Sequence, residues 1–312
     1  MNPHAVDVAT GLRAVLERRL EAAEAAFERW RAGSDPEALH DFRVALRRMR
    51  SLMQAFAPDV RVERKALRSL KRLGRLTNAG RDLEVAVAWV AAAREGVPEA
   101  GQAAVAAFLA ALEERRAAAQ GRLRERLPRR WKKARKRLRR ALDALVPRRR
   151  VSFAQAGAER IGEAADGLRL ALAEVQGPAD EAGLHRARLR AKRLRYLIEP
   201  YRDAVASAPA ALRELKALQT VLGEIHDLHV LRAQLEAAMA QECRERAGQL
   251  AEAAYEGRDE PWCPPALMPL MRRLGELFRT RYGRLADFLA PSARWHGEAA
   301  SVAAALAEPR GL

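Results

Sequence analysis

The sequence predicts an all-α protein, and its composition carries that prediction. Ala, Leu, Arg and Glu dominate the 312 residues, aromatic residues make up only 5%, and runs of β-branched residues are missing. Helix propensity summed over almost any window is therefore favourable. With 49% hydrophobic residues, a chain of this length can form one large domain or two smaller ones. We therefore expect helices packed around a buried apolar core.

Glycine and proline positions predict where those helices end. In the first half they stand at residues 33–36, 58, 78–80, 96–98, 128 and 147, and in the second at 177–178, 223, 261–265 and 291. These breaks predict helices of roughly 15 to 30 residues. Asp82 and Asp227 each follow a glycine-containing break, so we expect both of them to be helix N-caps.

An internal repeat at an offset of 145 residues determines the predicted architecture. Residues 39–56 align without gaps on residues 184–201, and the same offset places Lys71 on Lys216. We expect two homologous helical units, residues 1–147 and 148–291, followed by a tail, residues 292–312, that is mainly peripheral but can dock through Trp295 and His296. The simplest arrangement is two similar bundles related by a pseudo-two-fold axis, with equivalent helices facing one another.

The charge of the chain indicates a polyanionic partner. Lys and Arg number 57 against 40 Asp and Glu, so the net charge is +17 and the pI is about 11.0. Two cysteines are too few for a disulfide-built secreted module. The longest apolar run, residues 103–112, is about half of a membrane span, and His4 and Asp7 interrupt any signal peptide. We expect a soluble cytoplasmic protein with no membrane partner.

Each repeat contains one strongly amphipathic basic helix. On a helical wheel, four basic positions of the first repeat fall within about 80° of one another, opposite an apolar arc. The second repeat contains the same pattern. The two sets are His40, Arg43, Arg47 and Arg50, and His185, Arg188, Lys192 and Arg195, with Arg48 and Arg193 at their flanks. Successive guanidinium groups recur every roughly 5 to 6 Å along the helix, a spacing suited to the phosphates of a linear chain.

A solvated helix face would explain one such stripe, but the duplication favours binding. Residues 39–56 contain four basic residues against one acidic residue, and residues 184–201 contain six against one. Solvated faces more often mix charges of both signs. Nine of the twelve residues 129–140 are also basic. We therefore expect Arg137 and Arg140 of this segment to contribute further positive charge. The lysines that match at the repeat offset, Lys71 and Lys216, are further candidates.

These motifs resemble the CHAD family, the conserved histidine α-helical domain. The resemblance rests on the segments 39–50, 80–85, 184–196 and 222–227 and spans about residues 4–291. It implies two four-helix-type bundles, a basic central channel, binding of inorganic polyphosphate and association with polyphosphate granules. The family's histidine and basic positions carry over onto His40, Arg43, Arg47, Arg48 and Arg50, and onto His185, Arg188, Lys192, Arg193 and Arg195. Some members are fused to a triphosphate-processing CYTH domain, whose Glu-x-Glu-x-Lys signature is missing here, so the chain resembles a stand-alone binding module.

The sequence is compatible with two alternative functions. Nucleic acid is a secondary partner, because +17 attracts any polyanion, although the stripes lack aromatic residues for base stacking. A metal-dependent phosphohydrolase is suggested by His40-Asp41 and His226-Asp227, but the guanidinium stripe would repel a cation. For His226 and His229 a capping or packing role is favoured. The sequence predicts no catalytic residue, no metal ligand and no cofactor, and leaves the oligomeric state open.

Overall fold

The structure is a computed structural model that describes residues 2–290 and 293–308, without the side chains of Ala79 and Ala100. Within these residues the fold is all-α, as predicted, and its only β pairing is two isolated bridges. The helices are α1 (Val8–Ala32), α2 (Ala38–Ala55), α3 (Arg64–Ala93), α4 (Glu99–Asp143), α5 (Phe153–Ala173), α6 (Glu181–Ile198), α7 (Ala208–Tyr255), α8 (Met268–Gly283), α9 (Ala286–Leu289) and α10 (Arg294–Ala307).

Side-chain caps begin the two helices that open the predicted repeats. The Asp7 carboxylate accepts from the backbone N–H groups at the start of α1, and Ser152 forms a capping box with Gln155 at the start of α5. The two cap residues also pair with each other in an antiparallel bridge. The starts of α1 and α5 are therefore held side by side, although they are far apart in sequence.

Three of the predicted helix breaks are wrong. Gly80 lies inside α3, Pro128 inside α4 and Gly223 inside α7. Helix α4 therefore runs for 45 residues and α7 for 48. Asp82 and Asp227 are consequently mid-helix residues and not N-caps. An interior glycine costs only about 1 kcal/mol relative to alanine, which the strong helix formers around it outweigh.

Contacts divide the chain into two compact units. Unit 1 contains the residues up to 78, residues 123–222 and the residues from 285 onward, and unit 2 contains residues 79–122 and 223–284. Each unit takes segments from both halves of the sequence. The repeats predicted at residues 1–147 and 148–291 are defined by sequence similarity and not by contacts, so they differ from these units and stay a prediction. The predicted helix break at residue 291 lies outside the described residues.

Unit 1 contains the helices on which both basic stripes lie. Within it α1 packs on α2, α5 packs on α6, α1 contacts α5 and α2 contacts α6. The rings of Phe56, Phe153 and Tyr201 pack in series, with centroid distances of 5.5 and 4.9 Å. The Tyr201 hydroxyl donates to the backbone oxygen of Phe153 at 2.8 Å. This aromatic series places the ends of α2 and α6 against the start of α5.

The C-terminal tail is part of unit 1, and its expected peripheral position is wrong for the described residues. Helix α10 packs along α5. Trp295 is buried, and its indole nitrogen donates to the backbone oxygen of Phe288 at 3.3 Å. Alanine-rich helices pack closely because small side chains let their backbones approach, a property that composition alone did not reveal.

Unit 2 has an apolar core of its own. It is formed by the second part of α3, the first part of α4, the later part of α7, and α8. The buried members include Val90, Val105, Leu112, Leu235 and Leu270. None of the predicted binding residues lies in this unit.

Candidate phosphate-binding site

Helix α2 separates its apolar and basic residues as the wheel predicts. Phe42, Leu46, Met49 and Met53 are buried in unit 1. On the other side His40 is exposed, whereas Arg43, Arg47 and Arg50 are only half-buried. The basic side is thus only partly open to solvent.

Helix α6 repeats this arrangement. Leu194, Leu197 and Ile198 are buried. The stripe residues His185, Arg188, Lys192 and Arg195 are half-buried, which differs from the exposure expected for a solvated stripe, whereas Arg186 and Arg190 of the same helix are exposed. We use the term basic face for the residues His40, Arg43, Arg47, Arg50, His185, Arg188, Lys192 and Arg195.

A buried tyrosine joins the two basic helices. Tyr196 of α6 is 1% exposed, and its hydroxyl accepts a hydrogen bond from Nε of Arg47 at 2.8 Å. The guanidinium carbons of Arg47, Arg48 and Arg195 lie 6.0, 5.8 and 5.3 Å from the centroid of its ring. Cations at this distance are attracted by the π electrons of the ring. Tyr196 therefore gathers basic residues of α2 and α6 around one point.

A single carboxylate lies beside this cluster. Glu199, in the 3₁₀ turn Glu199–Tyr201 after α6, contacts three arginine side chains. Arg48 places Nε 2.7 Å from Oε2 and donates from Nη2 to Oε1 at 2.8 Å. Arg19 approaches Oε2 at 3.3 Å and Arg195 approaches Oε1 at 3.6 Å. One negative charge thus compensates three positive ones.

The remaining predicted residues also lie in unit 1. Arg43 donates to the side-chain oxygen of Asn78 at 3.1 Å, and Arg137 donates to the Ser69 hydroxyl at 2.8 Å. Exposed side chains extend from helices α3, α7 and α4 at three further predicted positions, namely Lys71, Lys216 and Arg140. Every predicted binding residue therefore belongs to the same compact unit.

Burial and neighbouring positive charges lower the pKa of three basic groups in this region. Burial lowers the pKa of His185, and the nearby charges of Arg188 and Lys192 lower it further. Burial, followed by the charge of Arg48, lowers the pKa of Arg19. Burial and then Arg190 do the same for Arg193, whose buried Nε has no hydrogen-bond acceptor among the described residues. A nearby anion would raise each of these pKa values.

Sequence reasoning missed the roles of Tyr196 and Glu199. At the repeat offset their counterparts are Ser51 and Gln54, so a search for shared positions passes over both. The available signal was that Glu199 is the single acidic residue of the second basic segment. Which arginines it contacts depends on tertiary packing.

His229 has the predicted packing role, and His226 lies within the same helix. His229 of α7 is buried, with its ring centroid 4.9 Å from that of Phe278, and His226 is half-buried in the same helix. Across residues 2–290 and 293–308, no three His, Cys, Asp or Glu side chains are grouped as metal ligands would be. No helix in the described part combines the length and apolar character needed to span a membrane.

The fold and the clustered arginines define an all-α protein with a concentrated basic site. A family model for the CHAD domain matches residues 14–236, so the chain belongs to the CHAD family. No curated protein matches the sequence significantly.

Two solved structures share the fold. The CHAD domain from the plant Ricinus communis is 24% identical with a TM-score of 0.58, over 97% of this chain and 93% of that one. PptA from Streptomyces chartreusis is 16% identical with a TM-score of 0.62, over 96% of this chain and 99% of that one. At these identities the likenesses establish the architecture alone.

Proposed function

We propose that this protein binds inorganic polyphosphate through the basic face of α2 and α6. The observation that carries the proposal is the set of half-buried guanidinium groups from both helices around Tyr196, with Glu199 as the one carboxylate in contact with them among the described residues. Membership of the CHAD family supports a polyphosphate-related function. The proposed ligand is a flexible linear polyanion.

The chemistry of the basic face suits bare phosphates. Arginine presents a planar fork that can donate two parallel hydrogen bonds to one phosphate, and lysine contributes a compact charge. The imidazoles of His40 and His185 can add hydrogen bonds to phosphate oxygens. We propose that the two helix faces line one basic channel, in which successive phosphates contact Arg43, Arg47 and their counterparts on α6.

In this proposal the protein is a binding module and not an enzyme. The basic face contains guanidinium, ammonium and imidazole groups, which can hold phosphate oxygens through charge and hydrogen bonds. Glu199, the carboxylate nearest to the cluster, is engaged by three arginines. We expect the protein to associate with polyphosphate granules as a consequence of binding.

A competition titration tests the proposed ligand. Long-chain polyphosphate, duplex DNA and single-stranded RNA would be offered at about 0.15 M salt, where the Debye length is roughly 8 Å and diffuse attraction is screened. We expect polyphosphate to bind more tightly by orders of magnitude, because the basic face is partly buried and a rigid duplex cannot follow it. Equal affinities would favour sequence-independent nucleic-acid binding instead.

Thermal stability supplies an independent measurement. A ligand that binds only the folded state raises the melting temperature by mass action, and here it also relieves repulsion among the arginines. Saturating polyphosphate should therefore raise the melting temperature, and the increase should decline steeply with added salt. An unchanged melting temperature would contradict the proposal.

A further inference from the structure

The cluster around Glu199 has the composition of a phosphate site with a carboxylate in it. Three guanidinium groups from α1, α2 and α6 converge on the Glu199 side chain, which is 13% exposed. Arg48 engages both carboxylate oxygens, at 2.7 and 2.8 Å. Convergent guanidinium groups bind phosphate oxygens with the same geometry that they use for carboxylates.

The charges within the cluster do not balance. One carboxylate faces three guanidinium groups, which leaves a local excess of two positive charges. The lowered pKa of Arg19, caused by burial and by the charge of Arg48, agrees with this excess. A phosphate group with more charge and more acceptor oxygens would satisfy the same arginines more fully.

The cluster is continuous with the basic face. Arg195 belongs to both, and Arg48 shares the Tyr196 ring with Arg47 of the basic face. A polyphosphate chain on the basic face would therefore reach a position beside Glu199. A free phosphate or pyrophosphate ion has no such neighbouring contacts to hold it there.

We propose that Arg19, Arg48 and Arg195 form a phosphate-binding site that the Glu199 carboxylate masks, which makes Glu199 a specificity-determining residue. The tethered carboxylate competes at an effective concentration of at least about millimolar, so short phosphate anions are excluded. A long chain anchored on the basic face gains the same intramolecular advantage and displaces the carboxylate. The inference rests on the proposed function only for the identity of the long ligand.

The other half of the chain has a neutral residue at the position of this carboxylate. At the repeat offset, Arg48 corresponds to Arg193 and Glu199 corresponds to Gln54, an exposed amide. Helix α2 therefore forms and packs with a neutral residue at that register. Glu199→Gln introduces the residue type that the first half already uses.

The test compares the protein with Glu199→Gln and with the control Glu236→Gln. Glu236 pairs with Arg232 at 2.7 Å in unit 2, which contains none of the predicted binding residues, so the control removes the same charge away from the cluster. Calorimetric titration with pyrophosphate at about 0.15 M salt should show binding at least about tenfold tighter for Glu199→Gln, as expected for freed charge-assisted hydrogen bonds. The control should stay within about twofold of the unmodified protein, because diffuse charge is screened at that salt.

Long-chain polyphosphate titrated in parallel separates the inference from the proposed function. The preference of the protein for long chains over pyrophosphate should fall in Glu199→Gln and persist in Glu236→Gln. If the unmodified protein does not bind long chains, the proposed function fails, while a gain of pyrophosphate binding would still support the masked site. A lower melting temperature with pyrophosphate affinity equal to that of the control would show a purely structural role and overturn the inference.

A second variant covers the case in which Glu199→Gln does not fold. Glu199→Asp keeps the charge and shortens the side chain by one methylene group, so it cannot reach all three arginines equally well. Its pyrophosphate affinity should exceed that of the unmodified protein. No gain in this variant would overturn the inference.

Discussion

Nε of Arg47 donates a hydrogen bond to the hydroxyl of Tyr196 at 2.8 Å, and this contact joins α2 to α6 across 149 positions of sequence. Because Tyr196 is almost fully buried, its ring is held in place and orients the arginines around it. Basic side chains of both helices are thus held around one buried ring.

Charge reversal on the basic face should abolish polyphosphate binding. Arg47→Glu combined with Lys192→Glu replaces one cation on each basic helix with an anion that repels phosphate. Circular dichroism should show the same helix content, since both side chains are only half-buried. The matched control is Arg244→Glu with Arg272→Glu, which changes the net charge equally at exposed positions in unit 2. Retained affinity in the first variant, or equal loss in both, would locate the site elsewhere.

Polyphosphate should raise the pKa of His185. In the free protein burial, together with the charges of Arg188 and Lys192, lowers that pKa below its ordinary value. A bound polyanion favours the imidazolium form, so binding should take up protons over the pH range in which this imidazole titrates. NMR titration of the His185 ring with and without ligand measures the shift. A pKa that ligand leaves unchanged would place the phosphates away from this part of α6.

Acid should destabilise the protein as the pH falls from about 4.5 toward about 2. A hydrogen bond from Arg149 lowers the pKa of Glu159 from 4.5 to about 2, with Arg160 contributing further. Since the folded pKa is the lower one, this stabilisation is complete above about 4.5 and is lost as pH falls through about 2. Urea unfolding at several pH values should show a shallower decline over that interval for Arg149→Met. A parallel decline in both proteins would contradict the assignment.

Two glycine substitutions should change stability in opposite directions. A Cβ atom at Gly11 would overlap the buried ring of Phe153, so Gly11→Ala should destabilise the protein by about 1 to 3 kcal/mol. Gly74 lies in α3 with nothing within 4 Å of such an atom, so Gly74→Ala should stabilise it by about 0.5 to 1 kcal/mol. Urea unfolding of both variants measures the difference. Equal effects would show that the contact between α1 and α5 is not tight.

The sequence predicted most accurately the properties that depend on residues within one helix. The 3.6-residue period separated Phe42 and Met49 from Arg43 and Arg47, and the structure buries the first pair and leaves the second half-buried. Family membership also followed from local motifs and is confirmed. The helix ends were harder, because Gly80 and Gly223 resemble breaks although the surrounding residues carry the helix through them.

Composition and periodicity by themselves determined the all-α class, the amphipathic basic helices and the high positive charge, since each depends on residue types and their spacing within one helix. Tertiary structure alone decided that Tyr196 gathers three arginines, that Glu199 contacts Arg19, and that α10 packs on α5. These contacts join residues far apart in the chain. They form only when packing of the apolar faces brings their helices together, and no local pattern specifies that pairing.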